Sequence, residues 1–213
     1  MKALNKFGGF SAFYLAAAYL IGITLFIVVL DYPSITDPAQ KLTVLVENQM
    51  VIFATNLLMY VFFGIFLVIL SVALHERLKS GMTALIQVAT IIGIIWAGSL
   101  VASGMVSNAG IAPVVALHAQ DPAQAALLWQ GIEAVSSGLG NGNGEILGGV
   151  WTLLISWAAL KAGGLPKGLN FLGLLVGVVG LVSIFLTDLT GLFGIGQMIW
   201  FVWLGIVLLR TSK

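Results

Sequence analysis

Two acids, Glu133 and Glu145, and four amides, Asn56, Gln87, Asn141 and Gln197, are the side chains with chemistry to offer from within or beside long apolar runs. In hydrocarbon such a group has to bond to a neighbouring helix, line a wet cavity or hold a ligand. Glu133, Ser137, Asn141 and Glu145 follow one another by about one helical turn, with Thr152 further along, and form a polar stripe if one rod carries them. A stripe of this kind suits the wall of an outward-facing polar cavity for a small molecule. Glu133 or Glu145 with His118 also has the residue types for acid/base work on a lipophilic substrate, provided two ionisable groups come within hydrogen-bond reach in one pocket.

Each of these residues has a plainer reading. Asn56, Gln87 and Gln197 can serve as interhelical hydrogen-bonding groups facing the bundle interior. Glu145 can be an acid at the outer border, interacting favourably with the N-terminal end of its own helix dipole. A charge at the bilayer centre costs roughly 2.5–3.5 kcal/mol on the insertion scale, and less near the border or beside water.

Other chemistries lack their parts. Cysteine is absent, so no thiolate site or disulfide forms. The two histidines, His75 and His118, fall on opposite sides of the membrane in the threading derived below, which removes a two-histidine metal site or haem clamp. The alternating glycines at 138, 140, 142 and 144 lack the Gly-Lys-Ser/Thr ending and the preceding strand of a phosphate loop. No Ser/His/Asp set converges on a nucleophile turn. Neither a cofactor nor nucleic acid is expected as a partner; the lipid bilayer is, with a small-molecule ligand as the candidate second partner.

The elements that must position these groups follow from composition. Of 213 residues, 60% are hydrophobic and 8% charged, against about 25% charged in soluble domains. The class is a polytopic, all-α membrane protein forming a single integral membrane domain over 1–213. Six apolar runs, about 10–30, 50–73, 83–106, 142–160, 168–187 and 191–210, are long enough to cross. Backbone groups in lipid must be satisfied internally, so the runs are helical. The first is read as a retained span, since no small-residue cleavage pattern follows Leu30.

Charge sets the threading. With six spans, Lys2, Lys6, Arg77, Lys79, Lys161, Lys167, Arg210 and Lys213 share one side, and Lys41 alone lies on the other. The positive-inside rule makes that shared side cytoplasmic, with both termini in. The acids reverse the pattern, Glu76 excepted. The localisation expected is a bacterial cytoplasmic (inner) membrane.

Between the spans, His75-Glu76-Arg77 reads as a solvated inner loop. The outer segment 107–141 is interrupted by Pro113 and restarts at Asp121-Pro122-Ala123-Gln124 as N-cap, N1 and N3 of an outer amphipathic helix. That helix either continues into span four or breaks at the glycines, with a break favoured. Gly163, Gly164 and Pro166 form the hinge of a helical hairpin. Thr187 or Asp188 is expected to cap span six. Small residues, Ser99, Ser103 and Ser107, Gly144 and Gly148, Gly173, Gly177 and Gly180, and Gly191 and Gly194, mark the packing seams. Trp96 and Trp151 are expected inside, Trp129 and Trp157 near interfaces.

At Gly148-Gly149-Val150-Trp151-Thr152-Leu153-Leu154, Gly163-Gly164-Leu165-Pro166-Lys167, Leu172-Gly173 and Gly177 to Gly180, the chain resembles a bacterial family of six-span membrane proteins defined only as a domain of unknown function. The resemblance is best over about 120–185 and departs in the Gly-Asn repeat at 140–144. It implies a six-helix architecture and transfers no catalytic residue. Three functions stay open: binding or transport of a small molecule, a non-catalytic assembly or regulatory role, and a membrane-embedded enzyme.

Overall fold

The computed structural model describes residues 2–81, 83–140 and 145–211. Asn141, Gly142, Gly144 and Lys213, which carry sequence expectations, lie outside them. Helix α1 covers Lys2–Val29, its last segment Ile23–Val29 wound as π-helix. A 3₁₀ turn at Tyr32–Ser34 leads to α2, Pro38–Glu47. Next come α3, Gln49–Leu78, with a π segment at Leu57–Phe62, and α4, Thr83–His118. The chain closes with α5, Pro122–Leu139, α6, Ile146–Ala162, α7, Lys167–Val182, and α8, Leu189–Arg210. No strand occurs among the described residues.

Four of these, α1, α3, α4 and α8, are long and apolar enough to cross a membrane; α6 and α7 are shorter apolar helices of 17 and 16 residues. Six helices close a ring: α1 packs on α3, α3 on α4, α4 on α6, α6 on α7, α7 on α8, and α8 on α1. Aromatic rings fill its centre. Phe63 and Trp96 lie 5.7 Å apart, Trp96 and Trp151 5.8 Å, Trp151 and Trp200 5.7 Å, and Trp200 and Phe201 5.6 Å.

Helices approach closely where glycine allows it, because lipid-embedded helices associate through packing rather than through a hydrophobic drive. A Cβ on Gly177 would lie 2.7 Å from Leu153 Cβ and 2.8 Å from the Gly149 carbonyl oxygen, so the α6–α7 hairpin is closed along this line. Gly9 and Gly205 make the equivalent approach between the first and last helices, a seam the sequence reading passed over. Gly191 faces open space, so no close helix approach is made there.

The two ends of the ring differ. At one, the hinge end, Gly163 takes the left-handed conformation at φ 71° and its N–H bonds the Ala159 carbonyl at 2.9 Å. Only glycine adopts this without cost, and it stops α6 as the sequence predicts. Arg77 is helical and half-buried rather than part of a solvated loop: its Nε donates to the Gly164 carbonyl at 2.9 Å and its Nη1 to Thr211 Oγ1 at 2.8 Å. It ties α3 to the hinge and to the C-terminal residues through one backbone carbonyl and one hydroxyl.

At the other end, the cap, α2 and α5 pack over the extensions of α3 and α4. Helix α4 does not stop at Pro113 but runs 36 residues to His118. An interior proline costs about 3 kcal/mol. Here Ile111 and Val114, on either side of it, are buried with Leu42, Leu45, Ala125 and Trp129, and burying a large aliphatic side chain returns about 1.5–3 kcal/mol. Trp129 is thus a core residue of the cap, while Trp157 is exposed. Asp188 stands at the N-cap position of α8 but makes no side-chain cap bond. Helix α5 ends at Leu139, and α6 begins anew at Ile146.

Candidate functional site

The tetrapeptide Asp-Pro-Ala-Gln occurs twice, at 37–40 and 121–124, and starts a helix each time. Asp37 accepts from the Ala39 N–H at 3.1 Å and Asp121 from the Gln124 N–H at 3.0 Å, each satisfying an orphan donor of the first turn. These two starts aim α2 and α5 at each other. Between them and the cap-end parts of α1, α3 and α4 lies a cleft of about 440 Å³.

Glu133 on α5 is its charged centre. Tyr32 Oη donates to Glu133 Oε1 at 2.6 Å and accepts from Trp129 Nε1 at 2.9 Å. Lys41 Nζ stands 3.9 Å from Glu133 Oε2 and 5.0 Å from the centre of the Tyr32 ring, a geometry with both ionic and cation–π attraction. The Tyr32 phenol is held neutral well above its ordinary range: burial is the main cause, the bond to Glu133 adds to it, and the bond from Trp129 opposes it. A neutral phenol keeps the proton it donates to Glu133. Tyr32 is placed by a tight turn in which Asp31 takes a left-handed φ of 44° and Ser34 Oγ donates to the Asp31 carbonyl at 2.8 Å.

The opposite wall is uncharged and polar. Asn56 Nδ2 donates to Asn108 Oδ1 at 2.9 Å and to Ser107 Oγ at 3.1 Å, and Asn108 in turn bonds the Phe53 carbonyl at 3.1 Å. Ser103 Oγ donates to the Ser136 carbonyl at 2.7 Å, joining α4 to α5. Both π-helical segments contribute a ring to the cleft, Phe26 from one and Tyr60 from the other. Such segments are frequent at functional sites.

Tyr60 also borders a smaller chamber of about 50 Å³, and Glu145 is on its wall. Glu145 is buried, and its N–H donates to Ser183 Oγ at 3.0 Å. Its side chain makes no cap bond to α6.

The sequence-derived candidates therefore separate. Asn56 and Glu133 line the cleft together, with Ser137. Glu145 lines the chamber. Gln197 is fully buried elsewhere and accepts from Thr152 Oγ1 at 2.9 Å, pinning α8 to α6. Gln87, expected to face the interior, is exposed on α4 close to its start and lines neither cavity; one turn from a helix end, an amide reaches solvent or headgroups without needing a partner inside. Asn141 lies outside the described residues. His118 lines neither cavity, so it is not brought to Glu133 or Glu145. Among the described residues no three His, Cys, Asp or Glu side chains gather to hold a metal ion. Tyr32, Lys41, Trp129 and Tyr60 were missed. The repeated Asp-Pro-Ala-Gln was the available signal, since it marks two matching helix starts beside the cleft.

Helices of this length and apolarity, closed around a packed aromatic centre, define an α-helical membrane protein. The chain belongs to the family described as a domain of unknown function, DUF4386, which matches residues 11–207. Searches of curated proteins and of solved structures found no match.

Proposed function

We propose that the chain is a six-span protein of a bacterial cytoplasmic membrane, with both termini inside, that binds a small polar molecule in the cleft from the outer side. The spans are α1, α3, α4, α6, α7 and α8. Arg77, Lys79, Lys161, Lys167 and Arg210 belong to the hinge end and Lys41 to the cap, which supports a cytoplasmic hinge end. Helices of 17 and 16 residues reach about 25 Å at about 1.5 Å per residue. A few Å of bilayer thinning accommodates them.

The observation that carries the binding reading is convergence. Side chains from five helices and the Tyr32–Ser34 turn meet around one cleft of about 440 Å³, within the range of small-molecule sites, about 300–1,000 Å³. The ring below is filled by Trp96, Trp151 and Trp200, which favours binding at the cleft over an open pore. A thermal-shift screen of the purified protein against small polar compounds tests this. The expected result is a saturable stabilisation that weakens at least tenfold in Asn56→Ala and Ser107→Ala. Stabilisation untouched by both substitutions, or none across the screen, contradicts it.

A second reading, an assembly or regulatory protein, draws on α5, which turns Leu127, Leu128, Val135 and Leu139 outward. It predicts that Leu128→Gln with Val135→Gln changes the size of the complex extracted in mild detergent.

A further inference from the structure

The chamber behind Tyr60 has a composition of its own. Tyr19 from α1, Tyr60 and Phe63 from α3, and Trp96 from α4 supply ring walls, and Glu145, at the start of α6, supplies a carboxyl group. Tyr19 and Phe63 meet edge to face at 5.7 Å and 77°, and Phe63 and Trp96 at 5.7 Å and 68°. Rings set at such angles form the sides of a box. Ring faces attract cations, and a carboxyl group within the same box adds a counter-charge. The remaining lining residues, Ala18, Met59 and Leu100, are apolar. Glu145 is 4% exposed, and the bond from its N–H to Ser183 fixes the start of α6 that carries it.

We propose that this chamber is a binding site for a small organic monovalent cation of the alkylammonium class, with Glu145 as its counter-charge. The cation enters from the cleft past Tyr60, whose ring borders both spaces, so the inference rests on the cleft being open. The rest of the ligand then lies against Asn56 and Ser107 in the cleft. This names the substrate class of the binding reading: a protonated or methylated amine carrying a polar tail. Because the walls come from four helices of the ring, occupation draws α1, α3, α4 and α6 together and raises thermal stability.

The test is a titration of the purified full chain in detergent with methylammonium and tetramethylammonium chloride, against sodium chloride at equal ionic strength. Tryptophan fluorescence, to which Trp96 contributes as one of six tryptophans, and melting temperature are the readouts. The expected result is a saturable response to one of the two cations that sodium does not give. It should weaken at least tenfold in E145Q and roughly 2- to 30-fold on removal of one ring wall, as in Y19L. A response equal to that of sodium, or one unchanged in both E145Q and Y19L, overturns the proposal. If E145Q does not fold, Y19L and E145D decide: retention in E145D with loss in Y19L supports the site, and any other pattern overturns it. Labelling of Ser137→Cys by a water-soluble maleimide separates the two failures. A labelled cleft with no ammonium response sinks the chamber alone; an unlabelled cleft sinks the binding reading beneath it.

Discussion

The ring and the cap of this molecule are held by different physics. In the ring, Gly149 meets Gly177 and Gly9 meets Gly205, and the space they enclose is filled by three tryptophans and two phenylalanines. In the cap, a smaller apolar cluster around Leu42, Leu45, Val114 and Trp129 is bordered by side-chain hydrogen bonds between segments, from Tyr32, Asn56, Ser103 and Trp129. Dispersion between close-packed surfaces is lost when anything shifts, whereas a hydrogen bond beside a cleft can be exchanged for one to water. A close-packed ring under a hydrogen-bonded cap is the arrangement on which the proposed binding at the cleft rests.

The comparison breaks most readily in the ring. Gly177→Leu forces a side chain into a backbone-to-backbone contact; overpacking costs about 1–3 kcal/mol and more where backbone must move. A large fall in melting temperature in detergent is expected, and an unchanged one would show that the hairpin is not closed there. Arg77→Ala comes next. It removes two bonds that tie three chain segments at the hinge end, worth about 1.5–3 kcal/mol where the donor is charged. Hydrogen exchange should rise around Gly164 and Thr211 and stay unchanged in the cap.

Tyr32→Phe acts on the cap alone. It leaves Glu133 Oε1 and Trp129 Nε1 without their shared partner, at about 1–2 kcal/mol. Exchange should rise in α2 and α5 while melting of the ring hardly moves. The phenol also gives the cap a pH dependence. Its pKa is raised in the folded state from an ordinary 10.0. The stabilising contribution of the neutral phenol is therefore complete below pH 10.0 and lost as pH rises through the higher folded-state value. Protection of the cap amides, relative to their base-catalysed intrinsic exchange, should fall in that alkaline window in the native chain, and this fall should be absent in Tyr32→Phe. The smallest expected effects are those of Asp37→Ala and Asp121→Ala, each about 0.5–2 kcal/mol through loss of a helix cap, read as fraying of α2 or α5.

What the sequence revealed and what it hid divide along the same line. The stop at Gly163, the start at Asp121 and the break before α6 are written in a few adjacent residues, because caps act over one turn. The ring tryptophans Trp96 and Trp151 were legible as interior, and both are buried, while Trp157 and Trp203 on the same kind of apolar helix are exposed. The cleft was half legible. Asn56 and Glu133 stand out as polar groups near apolar runs, but Tyr32 and Lys41 look like ordinary loop and helix residues until Glu133, on a distant part of the chain, is brought to them. Gln87 and Asn56 look alike in sequence, and only depth along the helix separates them. Pro113 misled because its local cost is outweighed by burial of Ile111 and Val114 against helices distant in sequence.

The absence of cysteine makes one measurement direct. Single cysteines placed at Ser107 in the cleft, Ser71 in the ring and Thr211 at the hinge end are exposed to a membrane-impermeant maleimide in intact cells. The account predicts rapid labelling of Ser107→Cys, none of Ser71→Cys, and labelling of Thr211→Cys only after the membrane is opened. Labelling of Thr211→Cys from outside, or a Ser107→Cys that stays unreacted while the protein is folded, would contradict it.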